Sequence, residues 1–76
     1  MTWTFHLTAK DQRRLYSRVF LVLDYQMVAI QSFHAETKGS MVQMTIVVCS
    51  EDDCGRRIEQ LLCRLQNVTS VSILNQ

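Results

Sequence analysis

The spacing of apolar residues along this chain switches between a period of two and a period near 3.6 in one fixed order, and that order admits few folds. From Thr2 to Thr8 polar and apolar residues alternate strictly, with Trp3, Phe5 and Leu7 on one side and Thr2, Thr4, His6 and Thr8 on the other. Such alternation is that of a half-buried strand. The apolar positions then become Leu15, Val19, Val22 and Leu23, widened by Tyr16 and Phe20, which is a helical stripe. Asp11 stands ahead of it as the expected N-cap, its carboxylate accepting from free N–H groups of the first turn. Val28 to Phe33 reads as a second strand, short and β-branched at its start. Thr37-Lys38-Gly39-Ser40 follows, and Gly39 supplies the positive φ that a hairpin turn needs.

Met44, Ile46 and Val48 alternate with Thr45, Val47 and Cys49 in a third strand running back beside the second. Ser50-Glu51-Asp52-Asp53 has the spacing of a capping box and sets three carboxylates at the positive end of a second helix. The stripe of that helix is Ile58, Leu61, Leu62 and Leu65. Gly55 in its first turn costs about 1 kcal/mol relative to alanine. Asn67 suits the helix exit, and Val71 and Ile73 alternate with Ser70 and Ser72 in a fourth strand.

Strand, helix, strand, strand, helix, strand, with no proline or linker between them, predicts a single domain over residues 1–76. Right-handed crossovers fold that order into an α+β, ferredoxin-like βαββαβ sandwich, a four-stranded antiparallel sheet with two helices on one face. The other face is left uncovered and carries Thr4, His6, Thr45, Val47, Ser70, Ser72 and Leu74. The second and fourth strands become the sheet edges, and an unpaired edge is a template for another chain. At 76 residues such a domain buries only about 60 to 65% of its unfolded surface. Pairing with a second copy is therefore the expected source of further stability.

Eight basic against seven acidic residues leave a formal charge of +1, too little to draw the molecule onto nucleic acid or an anionic membrane. The arginines fall in two groups, Arg13, Arg14 and Arg18, then Arg56, Arg57 and Arg64. These suit solvated helix faces, a phosphate or an acidic protein surface. The longest strictly apolar run is Val19 to Leu23, and Met1 to His6 lacks a basic start, so no membrane span or targeting segment is expected. With an odd set of cysteines, Cys49, Cys54 and Cys63, the reading is free thiols in a reducing, cytoplasmic setting.

The same cysteines, with His6 and His34, are the potential metal ligands, but they lack the close pairs of a structural zinc site. No metal and no cofactor are expected. Nucleophilic catalysis needs a nucleophile, a base and an orienting group together, and no such signature occurs. RNA binding on the open sheet face needs aromatic residues on the central strands, where this chain has Gln43, Thr45 and Val47. Binding a partner, rather than catalysis, is the function that this pattern favours.

Five segments carry a family likeness: Leu15-Tyr16-Ser17-Arg18-Val19-Phe20, Val28-Ala29-Ile30-Gln31-Ser32-Phe33, Met44-Thr45-Ile46, Arg57-Ile58-Glu59-Gln60-Leu61-Leu62 and Asn67-Val68-Thr69-Ser70-Val71. Together they make the chain resemble an ACT domain over nearly its whole length. More narrowly, it resembles the short regulatory small subunit of acetolactate (acetohydroxyacid) synthase. The resemblance implies edge-to-edge pairing into an eight-stranded sheet, with a dimer edge at Gln31 and Phe33. It also implies an amino-acid effector site between the first loop of one copy and the second strand of its neighbour. Such subunits bind a thiamine-diphosphate-dependent catalytic subunit, raise its activity, and in many cases confer feedback inhibition by valine.

On this chain the effector position corresponds to Asp11, Gln12, Arg13 and Arg14 in the loop and to Ala29, Ile30 and Gln31 on the strand. Valine-responsive relatives carry a glycine in that loop and an asparagine where Ala29 stands, and a glycine ends their first helix where this chain has Met27. The likeness is therefore to the valine-insensitive type. Three functions follow as expectations. The first is a non-catalytic regulatory small subunit in branched-chain amino acid biosynthesis, partnered by the catalytic subunit of acetolactate synthase. The second is a free-standing ACT domain that binds an amino acid, with Arg13 or Arg14 on its carboxylate. The third is a purely structural dimerisation module.

Overall fold

The computed structural model describes residues 1–74. Its elements are β1 (Thr2–Lys10), α1 (Leu15–Tyr25), β2 (Ala29–Lys38), β3 (Met41–Cys49), α2 (Gly55–Cys63) and β4 (Val68–Leu74). The strands form one antiparallel sheet in the order β2-β3-β1-β4, so β2 and β4 are the edges. This is the expected ferredoxin-like βαββαβ arrangement.

Period-two burial on the central strands builds the core. Phe5, Leu7 and Ala9 of β1 and Val42, Met44, Ile46 and Val48 of β3 meet Leu15, Val19 and Leu23 of α1 and Ile58 and Leu62 of α2, and none is more than 1% exposed. Burying each large side chain of this set contributes about 1.5–3 kcal/mol. Both helices join one apolar cluster, which leaves the even-numbered residues of β1 on the other face of the sheet.

Trp3 opens the core strand and lies against the backbone of Gly55. A β-carbon added at Gly55 would stand 2.7 Å from Trp3 Cδ1 and 2.8 Å from Cε2, well inside van der Waals contact. The glycine in the first turn of α2 is therefore a packing requirement, and its helix cost is incidental.

The two helix starts differ from expectation. Asp11 does not cap α1: its N–H donates to Ser40 O at 2.8 Å, which continues the β1–β3 ladder and delays the helix by three residues. Arg14 occupies the cap instead, at φ 70°, without a side-chain cap bond. Likewise Ser50 is held to Met1 by N–H donation in both directions, at 2.6 and 2.9 Å. Its hydroxyl accepts from Asp52 N–H at 3.1 Å, so Glu51, Asp52 and Asp53 precede α2 and none lies in its first turn.

Strand β2 begins at Ala29 rather than Val28 and runs past Phe33 to Lys38. Ile30 pairs with Val48 and Ser32 with Val47, so Gln31 is the extra residue of a bulge. The bulge turns both Ile30 and Phe33 to the helix side although they are three residues apart. Gly39-Ser40 closes the hairpin between Lys38 and Met41 with φ 61° at Gly39, as a type II′ turn requires.

Helix α1 ends in a Schellman pattern, Met27 N–H to Asp24 O at 3.0 Å and Val28 N–H to Leu23 O at 3.5 Å. Met27 holds the left-handed position at φ 57° with 88% of its surface exposed. That conformation costs a non-glycine residue about 1–2 kcal/mol, partly offset because glycine loosens the unfolded chain by about 0.4–1 kcal/mol. Met27→Gly is expected to stabilise the fold by about 0.5–1 kcal/mol and to raise Tm by about 2–8 °C. A thermal melt showing a lower Tm would contradict this.

Candidate functional site

The free β2 edge and the helix above it form an apolar shoulder. Phe33 projects from β2 beneath α1, its ring 4.8 Å from that of Phe20 and in edge contact with Tyr16 at 6.1 Å. Phe20, Leu21 and Ile30 are 38%, 56% and 41% exposed. With Ser17, Asp24 and Val28 they line a shallow groove along the edge. Gln31 is exposed at the bulge and Phe33 is half-buried. The charges of β2, Glu36 and Lys38, lie toward its far end and leave Ala29–Phe33 uncharged, whereas β4 is flanked by Asp53, Arg56 and Glu59 beside Ser72 and Ile73. Charge on an edge discourages pairing and apolar surface invites it, so the two edges are not equivalent.

The loop before α1 puts Asp11, Arg13 and Arg14 in solvent and Gln12 half-buried. Gln12 O accepts from Leu15 N–H at 3.2 Å, while Gln12 Oε1 is buried with no hydrogen-bond partner. This loop leaves β1 at Lys10, opposite Met41, whereas Ala29 lies opposite Cys49 at the other end of β3. Eight residues of strand separate them, roughly 27 Å. One chain therefore does not bring Asp11, Gln12, Arg13 and Arg14 together with Ala29, Ile30 and Gln31.

On the open face, His34, Thr45, His6 and Ser72 form one row across the four strands, and Thr45 Oγ1 lies 3.2 Å from His6 Nδ1. The row is polar, and the rings it presents are the two imidazoles of His6 and His34. Cys54 is buried, Cys49 half-buried and Cys63 exposed, and all three are free thiols. Among the described residues no group of three or more His, Cys, Asp or Glu side chains is placed to hold a metal ion, and no helix is long and apolar enough to cross a membrane.

The exposed shoulder was not apparent from the sequence, where Phe20 reads as widening the core stripe. Leu21 gave the only signal, since it falls outside the helical period of Leu15, Val19 and Leu23.

No family model matches the chain, and no curated protein matches it in sequence. Solved structures do match its fold. The ACT domain from GTP pyrophosphokinase of Chlorobium tepidum superposes with a TM-score of 0.86 at 13% identity, covering 97% of each chain. The regulatory subunit of aspartate kinase from Thermus thermophilus, in its ligand-free form, gives 0.75 at 17% identity over 97% of this chain and 50% of that one. A formyltetrahydrofolate deformylase from Pseudomonas putida gives 0.78 at 11% identity, with this chain spanning 29% of its length. The likeness establishes that the chain has the fold of an ACT domain.

Proposed function

From this ACT-type fold we propose that the chain is a non-catalytic regulatory small subunit of acetolactate synthase, paired with a second copy through β2 and acting by contact with the catalytic subunit. The observation that carries the reading is the apolar β2 edge, with Phe20, Leu21 and Ile30 exposed beside it. In a two-fold pair each residue meets its opposite number reciprocally. Antiparallel β2 strands would thus set the Ala29 end of one copy beside the Lys38 end of the other. Since Lys38 pairs with Met41 and Met41 with Lys10, that end adjoins the Asp11–Arg14 loop, and a second copy supplies the missing half of the effector position.

The loop departs from one that receives valine. Without glycine its backbone is screened by side chains, and Arg14 already occupies the left-handed conformation there. Valine feedback is therefore absent from this reading. A second reading, an ACT domain that senses an amino acid, is favoured by the exposed Arg13 and Arg14, neither of which has a carboxylate within 4.0 Å among the described residues.

Mixing the chain with the acetolactate synthase catalytic subunit of the same organism separates the two. The proposal expects co-elution and increased turnover that valine does not lower. Absence of both effects would exclude it, and turnover restrained by valine would favour the sensor.

A further inference from the structure

All six arginines stand on the helical layer or in the loop leading into it, whereas the two lysines, Lys10 and Lys38, end strands. The ion pair found among the described residues is Lys38–Glu36 at 4.0 Å, so no arginine there is matched by a carboxylate. The helices follow antiparallel strands, β1 and β3, and run antiparallel side by side. Arg57 Nε donates to Gln26 Oε1 at 2.7 Å, which fixes the start of α2 beside the end of α1.

Helical geometry, at about 100° per residue, then sorts the side chains. On α1, Tyr16 and Phe20 turn toward β2, and Arg18 and Tyr25 take the opposite flank. On α2, Arg56 and Glu59 turn toward β4, and Arg57, Leu61 and Arg64 form an i, i+4, i+7 row on the other flank. The acids on the helices and before α2 lie outside this seam: Asp24 borders the β2 groove, Asp53 and Glu59 border the β4 side, and Glu51 and Asp52 border the hollow lined by Met1, Met27 and Ala29. The seam thus holds three guanidinium groups, the 81% exposed Tyr25, the half-buried Leu61 and no carboxylate. An ordinary solvated helix face intersperses the two signs.

We infer that the seam between α1 and α2 docks an acidic surface segment of a partner protein, with Arg18, Arg57 and Arg64 on its carboxylates and Tyr25 and Leu61 in apolar contact beneath. Guanidinium forks suit carboxylates, and arginine interleaved with tyrosine is the composition of binding hot spots. Nucleic acid fits less well, because its binding rests on neutralising many phosphates at once and the chain carries a net +1. The inference rests on the reading of the chain as a partner-binding subunit, but not on the β2 edge.

A fluorescein-labelled polyglutamate peptide is the probe, with a single-stranded oligonucleotide of equal charge as the second arm. Polyglutamate is expected to shift the amide resonances of Arg18, Tyr25, Arg57, Leu61 and Arg64, and to bind less tightly as salt rises from about 50 to 200 mM. Substituting Arg18→Gln, Arg57→Gln and Arg64→Gln together should weaken it about tenfold or more and leave the sedimenting mass unchanged. No binding, shifts on another surface, unaltered affinity in the triple variant, or tighter binding of the oligonucleotide would each overturn the inference. If the unaltered chain binds polyglutamate at the seam but fails to co-elute with the synthase, the seam stands and the synthase reading falls. The converse result removes the seam alone.

Discussion

Gly55→Ala is expected to melt about 8–16 °C below the parent, although alanine is the better helix former. The substitution gains less than about 1 kcal/mol of helix propensity, and at the first residue of α2 even that is reduced. Against it stands a β-carbon 2.7–2.8 Å from the Trp3 ring, which is 8% exposed at the rim of the core and too rigid to yield locally. Overpacking of this kind costs about 1–3 kcal/mol, and the severity of the approach puts it near the upper end. A net loss of about 2 kcal/mol is a large share of the stability of so small a domain. Trp3→Leu should remove the penalty, so that adding Gly55→Ala in that background is neutral or stabilising, a coupling that a double-mutant cycle reads directly. A Tm for Gly55→Ala at or above that of the parent would sink the explanation.

Ile30→Lys is expected to weaken self-association at least about 100-fold, or about 2.7 kcal/mol, while leaving each copy folded. Ile30 is 41% exposed on the free edge, so an isolated copy tolerates the ammonium group in water. In the proposed pair the same group would be desolvated twice without a counter-charge. An associating chain melts at higher temperature as its concentration rises. The parent should show that dependence and Ile30→Lys should lose it, whereas Ser72→Lys on β4 should keep it. Equal behaviour of the two variants would assign the interface elsewhere.

The succession of elements was legible because each signal is local: a period of two in Trp3, Phe5 and Leu7, and a period near 3.6 in Ile58, Leu61, Leu62 and Leu65. The helix caps were not, because Asp11 and Ser50 are committed to partners distant in sequence, Ser40 and Met1, and no capping rule sees those ladders. The length of β2 was hidden by its bulge, since Gln31 breaks the alternation that would have joined Ile30 to Phe33 and Ala35. Met27 was visible as a departure from glycine, and its φ of 57° supplies the physical meaning.

The candidate site was legible in name and not in place. Resemblance picked out Asp11, Gln12, Arg13 and Arg14 together with Ala29, Ile30 and Gln31, yet these lie at opposite ends of one sheet. The resemblance assigned the two halves to different copies, and the topology agrees in keeping them about 27 Å apart within one chain; their closure by a second copy is part of the proposed pairing. The exposed Leu21 and Ile30 likewise became meaningful once one flank of α1 was seen to meet Phe33 of the edge strand β2.

Sedimentation equilibrium of the unmodified chain at micromolar concentration tests the pairing most directly. Joining through β2 requires a mass of twice 8.9 kDa. A single species of 8.9 kDa across that range would contradict it.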